Sequence, residues 1–270
     1  KVMSFLRAIK TFWVQFVVGL DYIKKRYNTK LPISELENFQ RKSFRDMQLY
    51  LVRHGESANN ARDESQRVHD PGLTELGAKQ VEYLGPWFAS VIPDVLITSP
   101  FLRALKTMVP IQRATGLNPL VWRDLHEVGG CVSGYPAIGH VGEAGLTAEE
   151  IVEQFPSCDV EGSIGDAGWW GGKSHEGAAD IAARVQRIVE RTLTEFGDTD
   201  LKVVFVMHAD FKRELLRGFC AEHSFSRSDY GPLHNAGVTE LTLTGTTSRL
   251  DSYNNIGHLP YGLKSSEGVY

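Results

Sequence analysis

Four short stretches of the chain are apolar at almost every position: "MQLYLV" (47–52), "DVLITS" (94–99), "NPLVW" (118–122) and "KVVFVM" (202–207). Runs this short and this continuous predict strands buried on both faces. Between them the apolar positions recur every three or four residues, the period of a helix packed on one side. That spacing predicts helices over 73–91, with Pro86 kinking it, over 100–116, with Pro100 at its start, over 175–196 and over 210–219. A glycine-rich region, 129–172, reads as loop with one helix near 147–155. "GVTELTL" and "SRLDSY" read as a closing pair of strands. Strands alternating with helices predict an α/β fold, a three-layer α/β/α sandwich on a mostly parallel, mixed central sheet. Ligands of such sheets bind beyond the C-terminal ends of the strands.

The N-terminal part follows a different pattern. Phe5, Leu6, Ile9, Phe12, Trp13, Phe16, Val17, Leu20 and Ile23 mark one face of a helix over 5–27. Its densest apolar run, "TFWVQFVVGL", is about half of the roughly 20 residues that span a bilayer. Residues 1–30 hold seven Lys/Arg against Asp21 alone, a charge of +6, which leaves −10 on the remainder of a chain whose net charge is −4. A basic amphipathic helix of this kind suits packing on its own domain, docking on a protein partner or membrane surface, or targeting, with the mitochondrion among the destinations. The division expected is therefore 1–46, extension and polar linker, and 47–270, main domain. The overall negative charge gives no case for nucleic acid. Three widely spaced cysteines, Cys131, Cys158 and Cys220, with no CxxC, argue against a disulfide framework and for a soluble, reducing compartment, cytoplasm or organelle interior.

Chemistry-bearing residues gather where the predicted strands end. Arg53 and His54 follow "MQLYLV", His208 follows "KVVFVM", Arg103 lies just after "DVLITS", and Glu127 follows "NPLVW". Phosphoryl transfer needs converging positive donors, a nucleophile and an acid for the departing oxygen. Arginine forks, a neutral imidazole and a carboxylic acid of raised pKa supply these. Asp124 and Glu143 compete with Glu127 for the acid's place. No ligand spacing such as HExxH is present, so neither metal nor other cofactor is expected.

The segments "LVRHGESANN", "DPGLTELGAKQ", "ITSPFLRALKT", "LHEVGG" and "VMHAD", then "LHNAGVTELTL" and "YNNIGHLP", occur in the order found in the histidine phosphatase superfamily, the phosphoglycerate mutase-like proteins. The resemblance covers about residues 48–260. It implies that His54 is the phosphate-accepting nucleophile, that Arg53 and Arg103 clamp the phosphate, that His208 contacts the phosphoryl group and that Glu127 is the acid/base, without a metal. Asn60 resembles a further phosphate-binding residue of the mutase branch.

Two departures bear on function. Ala209 and Asp210 follow the second histidine, where the family commonly has glycine; an acid there needs a partner, and Arg213 is one turn on. From Asp124 to Gly172 there are nine acids and no Lys or Arg. A mutase must hold a bisphosphorylated intermediate, which this segment cannot neutralise. Tyr135, Trp169 and Trp170 offer it an aromatic lining instead. The expectation is a phosphomonoesterase acting through phosphohistidine on a low-charge phosphate ester, a small molecule or a phosphoprotein. The rival is a catalytically weak or inactive accessory subunit of a larger complex, docked through the N-terminal helix of residues 1–46; a phosphoglycerate mutase ranks below both.

Overall fold

The structure, a computed structural model, describes residues 45–220, 231–245 and 247–265. The helix expected over 5–27 and nearly all of the linker lie outside the described residues. Among those described, no helix is long and apolar enough to cross a membrane.

Seven strands form the central sheet: β1 (Asp46–Arg53), β2 (Val95–Thr98), β3 (Leu120–Val121), β6 (Asp159–Val160), β7 (Lys202–Met207), β8 (Val238–Thr244) and β9 (Thr247–Asn255), in the order β6-β3-β2-β7-β1-β8-β9. The five from β6 to β1 are mutually parallel, and β8 and β9 complete the sheet antiparallel. The four apolar runs are thus all strands of its parallel part. Alternate residues of a strand face opposite sides, and both sides are covered here. Tyr50, Val52, Val204 and Val206 pack with α1 (Glu75–Glu82), α2 (Leu84–Val91) and α3 (Leu102–Thr115). Leu49, Leu51, Phe205 and Met207 pack with α5 (Ala178–Phe196) and α6 (Ala209–Phe219). Burying each such side chain stabilises the fold by about 1.5–3 kcal/mol, so both layers hold the sheet in place.

The helix expected over 73–91 is two helices. The break falls at Tyr83, and Pro86 stands in the first turn of α2. A proline ring clashes with the carbonyl four residues back and donates no hydrogen bond; a first turn demands neither of it, so the chain restarts before the proline. Likewise Pro100 precedes α3, whose N-cap is Phe101. The glycine-rich region holds more structure than expected: a hairpin of β4 (Val132–Tyr135) and β5 (Gly139–Gly142), then α4 (Ala148–Gln154), then the edge strand β6. Thr147 and Glu150 close α4 with a reciprocal capping box.

Candidate active site

Parallel strands end on one edge of the sheet, and β1 ends there at Arg53. His54 N donates to Met207 O at 3.0 Å, which ties the end of β1 to the end of β7. The next residue must be glycine. A Cβ on Gly55 would meet Val81 Cγ1 at 2.6 Å and Gly77 O at 2.8 Å, and one on Gly77 would meet Glu56 O at 1.9 Å. Two glycines let α1 press directly on the backbone that carries His54.

His54 is 3% exposed. Its Nδ1 lies 2.7 Å from Gly55 O. A carbonyl only accepts, so Nδ1 carries the hydrogen and Nε2 presents a lone pair. Arg103 Nε donates toward that lone pair at 3.3 Å. Burial, then the charges of Arg103 and Arg53, hold the imidazole well below its ordinary pKa, so it is neutral at pH 7. The backbone oxygen of His54 accepts from Asn235 Nδ2 at 3.1 Å and from Ala236 N at 3.2 Å.

The two arginines are also buried. Arg53 Nη1 donates to Leu233 O. Arg103 lies on the first turn of α3, with its guanidinium 4.0 Å from the Phe101 ring centre and 3.9 Å from Asp70 Oδ1. Asp70 also accepts from Leu102 N at the start of α3. Burial raises its pKa to about 6 although Arg103 opposes the rise. Asn60 Oδ1 accepts from Ser57 N and Asn235 Nδ2, which leaves its amide nitrogen as the group able to donate into the cavity.

His208 follows β7 and is the N-cap of α6, fully buried. Its ring centre is 5.1 Å from that of His54 and 5.0 Å from that of Phe101. Nε2 is 2.8 Å from Ser99 Oγ, and Nδ1 has no hydrogen-bond partner. Burial and the nearby cations hold this ring neutral as well.

Glu127 approaches from the loop after β3. One oxygen accepts from Phe211 N and from Val128 N, each at 2.9 Å, so the carboxyl group sits on the first turn of α6. Burial raises its pKa, and Asp210 raises it further. Asp210 itself pairs with Arg213 at 2.8 Å, the partner that its place in the sequence called for.

Arg53, His54, Asn60, Arg103 and Glu127 line one cavity of about 560 Å³. His208 is not on that lining; it stands behind, against His54. Asp124 pairs with Arg187 at 2.9 Å away from this cavity, and Glu143 does not line it either. The expected aromatic lining is corrected. Trp169 and Trp170 are buried around His126, and Trp169 packs on Phe101; Trp170 borders a separate cavity with Asp124 and Arg187, and Tyr135 lines a smaller one of about 210 Å³. That cavity shares Asn59, Arg67, Arg103, Glu127 and Val128 with the larger one. Among the described residues no group of His, Cys, Asp and Glu could hold a metal ion.

Sequence reasoning gave no role to Asp70, Ser99 and Asn235, though each lies inside a motif already singled out. It also missed Arg67, which lines both cavities from a polar loop without periodicity.

The sequence pattern of the histidine phosphatase superfamily (branch 1) matches residues 49–256. The chain belongs to this superfamily. Among its relatives, a glucosyl-3-phosphoglycerate phosphatase of Mycobacterium tuberculosis is 25% identical over 205 residues, 73% of this chain and 86% of that one. A phosphoserine phosphatase of Hydrogenobacter thermophilus is 31% identical over 110 residues, 41% of this chain and only 47% of the relative. Among solved structures, a mycobacterial glucosyl-3-phosphoglycerate phosphatase superposes with a TM-score of 0.54 and 26% identity, over 78% of this chain and 99% of that one.

Proposed function

We propose that this superfamily member is a phosphomonoesterase that passes the phosphoryl group of a small phosphate ester through His54 to water. One observation carries the reading. His54 is fixed as the Nδ1–H tautomer by Gly55 O, with its Nε2 lone pair facing donors of Arg103, in a buried site that keeps it neutral. That is a nucleophile poised beside a phosphate clamp.

In the first half-reaction Nε2 attacks phosphorus in line as the ester P–O bond breaks. Arg53 and Arg103 take the charge on the equatorial oxygens. His208, packed behind His54 with ring centres 5.1 Å apart, holds the nucleophile's ring in place. Glu127, whose protonated form is favoured by its burial, gives its proton to the leaving alkoxide. In the second half-reaction the Glu127 carboxylate takes a proton from water, whose oxygen attacks phosphorus; the P–N bond breaks, orthophosphate leaves and neutral His54 is restored.

The organic part of the ester extends from Glu127 into the adjoining cavity, past Val68, Val132 and Tyr135. The combined space suits a small molecule, and the relatives are named for phosphoserine and for glucosyl-3-phosphoglycerate. Release of inorganic phosphate from a panel of small monoesters by the purified chain tests the reading. Turnover of several at micromolar to millimolar KM supports it, and no turnover of any rejects it.

A further inference from the structure

We infer that a second cavity, behind the loop that carries Glu127, is a binding site for hydrogen phosphate, with His126 Nε2 accepting the anion's O–H and Lys173 meeting its charge. Binding there does not depend on the phosphomonoesterase reading. The cavity measures about 380 Å³ and shares no lining residue with the catalytic one. Its walls are the segment after β3 that leads into Glu127, the loop before α5, and α5 itself.

His126 supplies the acceptor. Its ring is 3% exposed and wedged between Trp169 and Trp170, whose ring centres are 5.4 and 5.0 Å away. Nδ1 lies 2.8 Å from Glu127 O. The carbonyl only accepts, so Nδ1 carries the hydrogen and Nε2 keeps a lone pair. Nε2 has no hydrogen-bond partner among the described residues, and the ring lines this cavity and neither of the other two. An acceptor so buried and left unpaired is costly, and a ligand's O–H would relieve it.

Cations meet around that lone pair. Burial first, then the charges of Arg184, Arg123 and Lys173, hold the ring well below its ordinary pKa, so it stays an acceptor at pH 7. Most of the other charges are already paired. Arg184 grips Glu176 with Nε and Nη2 and donates through Nη1 to Asp124 O and His126 O. Asp124 is shared by Arg187 at 2.9 Å and Arg123 at 3.7 Å. Lys173 makes no ion pair among the described residues. Its backbone oxygen accepts from Trp170 Nε1 at 2.6 Å, which fixes it at the cavity wall. With Asp180 included, four cations face three acids, and the lining carries +1.

A ligand here must bring negative charge together with a hydrogen to donate. Hydrogen phosphate has both. Sulfate and a dianionic phosphate ester have the charge without the O–H, and would set lone pair against lone pair. A site built to hydrogen-bond an O–H rejects an analogue that lacks it.

Equilibrium dialysis of the full chain against millimolar ³²P-orthophosphate at pH 8 tests the site. At that pH orthophosphate keeps one O–H, while a monoester, with a second pKa of about 6, has none. The expected result is a labelled site that survives Arg103→Gln, which disables the phosphate clamp, and is lost in Lys173→Met. Lys173→Arg should retain it, and His126→Phe should weaken it about tenfold or more; an unchanged denaturation midpoint shows that each variant is folded. In Arg103→Gln, unlabelled orthophosphate should displace the label about tenfold more effectively than sulfate or phenyl phosphate. Label lost in Arg103→Gln but kept in Lys173→Met overturns the site, as does no label at all. Displacement by sulfate or by phenyl phosphate as effective as by orthophosphate overturns the assignment to hydrogen phosphate. Hydrolysis of p-nitrophenyl phosphate by the parent decides the phosphatase reading separately.

Discussion

Phe211 donates its backbone N–H to Glu127 Oε1 at 2.9 Å. The acid of the cavity is thereby the cap of the helix that begins with His208, and the two residues cannot move independently. A helix N-terminus favours the carboxylate form, whereas burial and Asp210 favour the protonated one. Burial is the largest effect, so the net direction is upward.

The basic limb of the pH–rate profile follows from that balance. Phosphoryl transfer to His54 requires protonated Glu127, so kcat should fall as pH rises through the Glu127 pKa. Asp210→Asn removes one of the causes that raise this pKa, and the limb should shift to lower pH. Glu127→Gln should lower kcat by about 10²-fold or more while vanadate still binds. Profiles of the three proteins check this; a limb that does not move in Asp210→Asn dissociates Asp210 from the acid.

Stability should fall between pH 7 and pH 5. His54, His126 and His208 are held neutral by burial, well below the ordinary value of 6.5. Below that pH the unfolded chain binds protons that the folded one refuses, and each such proton costs about 1.4 kcal/mol per pH unit. Asp70 acts in the opposite direction. Its folded pKa is raised from 3.8 to about 6, so the folded chain binds the extra proton between those values; Glu127 opposes with the same sign. Three histidines outweigh two carboxyl groups. Asp70→Asn should therefore steepen the loss below pH 6, as read by urea midpoints at a series of pH values.

Gly77→Ala should damage both stability and catalysis. The new methyl group would lie 1.9 Å from Glu56 O, a backbone atom next to Gly55, and overpacking of this kind costs about 1–3 kcal/mol. Gly162→Ala meets nothing within 4 Å and should stay within about 0.5 kcal/mol of the parent. Denaturation midpoints and kcat for both variants check the contrast.

The parallel part of the sheet was legible because strands buried on both faces must be apolar throughout, and 47–52 and 202–207 are. The two-residue strands β3 and β6 carry little pattern; only β3 lay in an apolar run, and β6 was missed. The hairpin of β4 and β5 was missed because glycines replace the alternation that would betray it. At the site, Arg53, His54 and Arg103 could be placed because each adjoins a strand end. The anchoring of Glu127 on α6 could not, since its partner lies 84 residues away. Nor could the cavity's further arginines: Arg213 drew notice only as a partner for Asp210, and Arg67 none at all.

Trapping the covalent intermediate tests the central claim most directly. The chain is mixed with a ³²P-labelled monoester, quenched in base and digested, and the acid-labile label is mapped. The account predicts phosphohistidine on the peptide that carries His54, with no label and no turnover in His54→Ala. Label on another residue, or undiminished turnover in His54→Ala, would contradict it.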